Sequence, residues 1–367
     1  MKFFFKICRN FFFSWIWKII FFFSPNNKKY FIEIIVEDAN WAIKRFGESI
    51  CEEILKNSNI TIKTSSKPYK SLANVIHFCS QYMWLDWEKY MSKSNYYVVS
   101  YFHGKPEDGP EIEEHVEKFL KSVHKISKII VSNTIVENRL IGWGISPSKI
   151  VRIPIGVDLD IFTIPTNSEK FSARQFYNLP NSSFVIGSFQ KDGVGWGEGI
   201  IPKPVKGPDI FLETIDIIRK KINVSVLLTG PARGYIKVGL EEMGVPYSHI
   251  FVEDYSDLKK CYHALDLYLI SSREEGGPMA LMESMASGVV VASTPVGMAQ
   301  DFVINGRNGV VSDFVDSTSL SEGVLSVYQM ISDNMINKEN VRSDIQSCSW
   351  KVVAESHLQF VYNEFIE

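Results

Sequence analysis

The residues best suited to chemistry in this chain are concentrated in SREEGGPMALMESMASGVVVASTPVG, residues 271–297. The apolar run LDLYLISS (265–272) before it reads as a strand ending at Ser272, and a loop rich in carboxylates and glycines follows. Pro278 suits a first helical turn, where its missing amide would have been orphaned anyway. The free amides of Gly277, Met279 and Ala280 would then face whatever lies above the sheet, so the start of the helix is an anion site. Glu275 falls in the loop beside Gly276 and Gly277, and Glu283 follows eight residues later. That spacing puts Glu283 about one and a half turns into the helix. One carboxylate can accept hydrogen bonds from the hydroxyls of a sugar and the other from those of a ribose, on either side of a diphosphate.

Several other chemistries are excluded. There is no GxxxxGK[ST] and no GxGxxG opening a helix after the first strand, so neither a P-loop NTPase nor a nicotinamide dehydrogenase is indicated. The alternating glycines 193, 195, 197 and 199 form a glycine-rich loop but carry little information alone. The five cysteines are scattered with no CxxC pair, which supports neither a disulfide framework nor a zinc site and suits a reduced, cytosolic protein. Asp158-Leu159-Asp160 has the form of a metal-binding DxD, but it sits where an interdomain connection is expected, so no metal site is assigned. A net charge of −3 gives no reason to expect nucleic-acid binding.

The elements that must position this loop are legible as β-branched runs alternating with longer amphipathic ones. Strands are expected at 30–36, 59–64, 74–80, 96–102, 128–133 and 149–155, with helices near 39–57, 83–93, 111–126 and 134–144. A second series is expected at 184–190, 225–231, 249–254, 265–272, 288–295 and 308–312, with the join near 157–183. Near-continuous apolar strands between helices imply parallel sheets covered on both faces, hence an α/β protein of two Rossmann-like domains.

Four segments, in this order, resemble glycosyltransferase family 4, the retaining enzymes of the GT-B fold. They are IPIGVDLDIF (153–162), KGPDIFLETI (206–215), the E-x7-E spacing of Glu275 and Glu283 in an EGG-P loop, and SWKVVAESHLQFVYNEF (349–365). The resemblance covers most of residues 70–367. GSFQKDG followed by TGPARGY is also similar to bacterial members that build surface polysaccharides. The resemblance implies two Rossmann-like domains facing each other across a cleft. The N-terminal acceptor domain would span 30–157 and the nucleotide-sugar domain 158–348, with a terminal helix, 349–367, packing back on the first domain. It implies transfer of a hexose from a nucleotide-diphosphate sugar to a lipid-linked or polysaccharide acceptor in lipopolysaccharide, O-antigen or capsule synthesis, with no obligatory metal or other cofactor. Glu275 would hold the donor sugar near the reacting carbon and Glu283 the ribose, while Lys206 meets the diphosphate. Gly276, Gly277, Met279, Ala280 and Ser188 would line the donor site. Where many members carry an Arg after the first-strand glycine, this chain has Gly187-Ser188-Phe189-Gln190-Lys191, leaving Lys191 or Arg233 to supply the second cation. His103, in SYFHGKPEDG, stands at a strand end where the family often places a histidine near the reaction centre. Acceptor recognition would lie near Trp41, Ala42, Gln81 and Tyr82. A non-catalytic nucleotide-sugar-binding protein and a sugar-nucleotide epimerase are the alternatives on the same fold.

Charge is distributed unevenly along the chain. Residues 1–29 hold six basic side chains, no acidic one and nine of the 25 phenylalanines. The rest of the chain, with all 42 acidic groups and the other 33 basic ones, carries −9. At helical spacing Lys2, Lys6, Arg9 and Asn10 share one arc and Phe4, Phe5, Phe11, Phe12, Trp15 and Ile19 the opposite one. A basic face opposite an aromatic one suits the plane of an anionic membrane, and Arg9 and Lys18 disfavour a spanning helix. The expected location is cytoplasmic, peripheral on the inner face of the bacterial cytoplasmic membrane. Deleting residues 1–29 is therefore expected to remove most binding to anionic liposomes in a flotation assay; undiminished binding would refute the anchor.

Overall fold

A computed structural model of the chain describes residues 31–39, 42–71 and 73–366. Residues 1–29 and Trp41 lie outside the described residues, as do the expectations that fall on them. The described residues form two compact units, one of residues up to Gly156 together with Trp350 onward, the other Val157–Ser349.

In the first unit the strands β1 (Phe31–Ile35), β2 (Thr61–Ser65), β3 (Val75–Phe78), β4 (Tyr96–Ser100), β5 (Lys128–Val131) and β6 (Ile150–Arg152) pair in parallel, in the order β2-β1-β3-β4-β5-β6. In the second, β7 (Phe184–Ser188), β8 (Val224–Thr229), β9 (Tyr247–Ile250), β10 (Leu267–Ile270), β11 (Val290–Ser293) and β12 (Gly309–Val311) pair in parallel, in the order β12-β11-β10-β7-β8-β9. Both are Rossmann-like, as the alternating pattern requires. Every side chain of β3, β8, β10 and β11 is buried, the condition of a parallel strand covered on both faces. Trp84, Phe78, Tyr97, Tyr101 and Phe119 anchor the first core.

All twelve expected strands are present, most of them shorter than their apolar runs because pairing stops where the loops leave the sheet. The expected helix 83–93 begins earlier, at Gln81, because the Ser80 side chain accepts from the Tyr82 amide and caps it; it ends at Trp87, followed by a 3-10 turn. The join expected near 157–183 is more ordered than its Pro, Ser and Asn content implies. Thr166 and Glu169 close a capping box on the helix Asn167–Phe176, and Asp158 accepts from the amides of Asp160 and Ile161, so its carboxylate shapes a turn.

The terminal helix Trp350–His357 belongs to the first unit. Trp350 and His357 meet Phe46 edge-on at centroid distances of 6.0 and 5.9 Å, and Gly156 leaves room for the Trp350 ring. Beneath them Tyr362 and Ser100 hydroxyls lie 2.6 and 2.9 Å from the two ring nitrogens of buried His77. Burial drives both histidines toward the neutral form, His357 to about 4 and His77 well below the ordinary value, with His357 adding to the effect on His77. Between about pH 6.5, the unfolded value, and pH 4 the unfolded chain binds protons that the native chain refuses. Stability therefore falls as pH falls, at up to about 1.4 kcal/mol per pH unit for each histidine. Urea denaturation across that interval should show this slope, and His357→Leu should flatten it by about one proton; an unchanged slope would contradict the assignment.

Candidate active site

The second sheet reverses its strand order between β7 and β10, since the chain runs outward through β8 and β9 on one side and β11 and β12 on the other. Ligands of open α/β sheets lie beyond the carboxyl ends of the strands at such a switch point. Two loops leave it there. One follows β7 and reaches Lys206 and the helix Pro208–Ile218; the other follows β10 through Ser271–Glu275 to the helix Met279–Ala286.

The two loops are locked together. The amides of Arg273 and Glu274 donate to the Val205 carbonyl at 2.9 and 3.3 Å. Arg273 grips Asp209 with both Nη atoms at 2.8 and 2.5 Å, and these bonds hold the Asp209 carboxyl below its ordinary range. Gly207 makes the approach possible: its φ is +58°, and a Cβ there would stand 1.9 Å from the Ser271 carbonyl oxygen. Lys206 Nζ consequently lies 2.5 Å from Glu275 Oε1, which also accepts from Ser272 Oγ at 2.9 Å.

Glu283 is buried in the helix, where a lone surface glutamate would have been solvated. Tyr255 donates to its Oε1 at 2.5 Å and Tyr262 to its Oε2 at 2.6 Å, which fixes the carboxylate. Burial, and then the charge of Glu283, raises the Tyr262 phenol well above its ordinary value, so it remains a donor. The helix opens at Met279 directly after Pro278, with no side chain capping it, beside Gly276, Gly277 and Ala280. Pro278 thus sits one residue outside the first turn.

The structure treats the two candidates for a second cation differently. Arg233 is buried. It donates to the Ser188 and Thr229 carbonyls at 2.6 and 2.9 Å and to Ser188 Oγ at 3.0 Å, with Asp192 Oδ2 3.0 Å from Nη2. Arg233 and Ser188 therefore brace the end of β7 from inside, a positioning role in place of the expected donor contact. Lys191 is on the surface, its Nζ 3.8 Å from the Trp196 ring centroid. Lys203 completes the group. Desolvation, followed by nearby Lys206 and Lys191, lowers its pKa, while Glu275 opposes the shift. Lys203 thus lies within electrostatic reach of two other lysines and Glu275, a local excess of positive charge suited to a multiply charged anion. Lys203, Tyr255, Tyr262 and the Arg273–Asp209 fork were not singled out from sequence; the K-x-x-K spacing of 203 and 206 was the available signal.

In the first unit His103 follows β4. Its carbonyl accepts from Gln81 Nε2 at 3.0 Å, and Gln81 Oε1 accepts from the Phe102 amide at 3.3 Å. Tyr82 stacks on His115 at 4.0 Å between centroids. Desolvation, then Lys118 and His103, lowers the His115 pKa. Ala42 opens the helix Ala42–Asn57.

With this geometry in view, comparison with known proteins is specific. Residues 203–343, which hold Lys206, Glu275 and Glu283, match the family model described as Glycosyl transferases group 1. The match lies wholly within the second unit. The chain is 23% identical over 249 residues to the Staphylococcus aureus capsular polysaccharide biosynthesis glycosyltransferase CapM, covering 65% of this chain and 59% of CapM. It is 28% identical over 159 residues to the Rhizobium meliloti lipopolysaccharide core biosynthesis mannosyltransferase LpsB, covering 41% and 42%. The chain thus spans about half the length of the curated relatives it matches. The crystal structure of Anabaena Alr3699/HepE in complex with UDP and glucose aligns with a TM-score of 0.71 at 15% identity, over 91% of this chain and 99% of that one. The fold is GT-B.

Removing Arg233 would leave Asp192 buried without its cation. Arg233→Leu is expected to cost about 3–5 kcal/mol of stability, measured by chemical denaturation, whereas Lys203→Ala should unfold as the parent does. Equal stabilities of the two variants would refute the division of roles.

Proposed function

We propose that the protein is a retaining glycosyltransferase that moves a hexose from a nucleotide-diphosphate sugar to a lipid-linked or polysaccharide acceptor in surface-glycan synthesis. The observation that carries this reading is the Lys206–Glu275 pair, with Lys203 in electrostatic reach of both, at the switch point of the sheet. The relatives' names (capsule and lipopolysaccharide enzymes) and the UDP and glucose bound by the similar HepE structure point to the same class of donor and product.

In this reading the sugar's anomeric carbon–oxygen bond breaks, and negative charge grows on the departing diphosphate. Lys206 and Lys203, with the amides at the start of the helix Met279–Ala286, stabilise that charge more as it develops than in the bound substrate. Lysines and amides meet the charge without an obligatory metal. The acceptor hydroxyl bonds to the anomeric carbon on the face that the diphosphate leaves, which retains the configuration, and its proton passes to the departing diphosphate oxygen. Glu275, oriented by Lys206 and Ser272, accepts from sugar hydroxyls beside the reacting carbon; Glu283, held by its two tyrosines, accepts from the ribose. His103 acts near the reaction centre. The protein works at the cytoplasmic face of the membrane, where a lipid-linked acceptor is available.

Screening a panel of nucleotide sugars for turnover, and for protection against thermal unfolding, tests the reading. Lys206→Ala and Glu275→Ala should each lose about 100- to 1,000-fold in turnover while melting cooperatively. Near-parental rates in either variant would exclude these roles.

A further inference from the structure

The glycine-rich segment after Lys191 is built as a rigid hairpin. Gly193 bridges Pro202 in antiparallel fashion, the Val194 amide donates to Ile201 O at 2.9 Å, and the Lys203 amide donates to Asp192 O at 2.7 Å. One side is fastened to the body of the second unit, where Gly234 and Tyr235 amides donate to the Glu198 and Gly199 carbonyls at 2.7 and 3.0 Å. At Gly199 φ is +72°, and a Cβ would lie 2.3 Å from Ala232 backbone atoms, so the hairpin rests directly on that chain segment. Beneath it Asp192 is paired with Arg233 in the interior.

A hairpin held this firmly would be expected to turn its apolar side chains inward. It does the opposite: Val194, Trp196, Ile200 and Ile201 are 54, 65, 57 and 68% exposed. Four large apolar side chains within eight residues form a concentrated exposed apolar surface, the kind that marks an interaction site. With Asp192 neutralised internally, the charges left at the hairpin are Lys191 and Lys203 at its base and Glu198 at its tip. Phe251, 69% exposed, directly follows β9 at the same end of the sheet, and the Glu198 charge reaches His249 of that strand.

We propose that the hairpin 193–201 is an interfacial membrane contact that inserts Trp196, Val194, Ile200 and Ile201 among the headgroups of an anionic bilayer, with Lys191, beside the Trp196 ring, on the lipid phosphates. Tryptophan is favoured at the membrane–water boundary, where its ring is half apolar and half polar, and lysines beside an apolar tip add attraction to anionic lipid. Because the hairpin lies on the loop after β7 that also carries Lys206, the partner of Glu275, this contact would set the donor site at the bilayer surface. The proposal goes beyond the transfer reaction and does not depend on residues 1–29.

The test places an environment-sensitive nitrobenzoxadiazole label on Val194→Cys in the full chain with Cys8→Ser. Cys51, Cys79, Cys261 and Cys348 are buried, which directs the label to the hairpin. Phosphatidylcholine vesicles containing about one-third phosphatidylglycerol should shift the emission to the blue, and pure phosphatidylcholine vesicles should shift it much less. Trp196→Ala with Ile201→Ser should weaken partition into the anionic vesicles by about tenfold or more. An unshifted label on vesicle-bound protein overturns the proposal, as does an equal shift on neutral vesicles. A shift produced by soluble oligosaccharide in place of lipid also overturns it and assigns the hairpin to a glycan. Failure of the full chain to bind the anionic vesicles overturns it as well, while leaving the nucleotide-sugar screen free to succeed.

Discussion

The pairing of Lys206 with Glu275 is the interaction on which the rest of the second unit depends, because each residue arrives from a different side of the sheet's reversal. Lys206 comes from the β7 side and Glu275 from β10, and the two strands are neighbours only because the chain returns after β9. The approach is close enough that Gly207 cannot be replaced by a residue with a side chain, and it is held by the Arg273–Asp209 fork and the two amides on Val205. In the proposed reaction, a cation and an anion set this rigidly would reorganise little as charge developed beside them, which is where fixed dipoles and charges contribute most to catalysis.

Electrostatics divides the cations here by depth. Arg233, fully enclosed, spends its two Nη groups on two carbonyls, one hydroxyl and Asp192, so its charge serves the fold. Lys191, Lys203 and Lys206 lie nearer solvent, and desolvation, followed by the other two lysines, lowers the Lys203 pKa. The pair of tyrosines on Glu283 illustrates the complementary device, a buried carboxylate kept ready by neutral donors.

Much of this was legible in the sequence because it depends on local pattern. Apolar runs marked all twelve strands, since a strand covered on both faces must be almost wholly apolar. The Glu275–Glu283 spacing was readable because strand end, loop and helix are consecutive. Partnerships made across the fold were not. Tyr255 and Tyr262 reach Glu283 from a turn and a helix that nothing in their own segment marks, and the Lys203 shift exists only once the loops meet. Arg233 followed a glycine turn as a ligand-facing residue would, but Asp192, forty-one positions earlier, draws it inside. The terminal turns of strands and helices also differed, because caps and loop departures depend on single side chains such as Ser80.

The division into units has a bearing on how the chain is made. Unit two is one uninterrupted stretch, whereas unit one is assembled from two stretches separated by all of Val157–Ser349. Tyr362, which bonds His77, and Trp350, which packs against Phe46, are synthesised only after the whole of unit two. The usual order, in which the amino-terminal domain matures first, is therefore inverted here. The second unit can finish folding while the first still waits, its aromatic floor open, for the helix Trp350–His357. During that interval the nascent first unit exposes the apolar surface that Trp350 and Val353 will cover, the kind of transient exposure that chaperones shield.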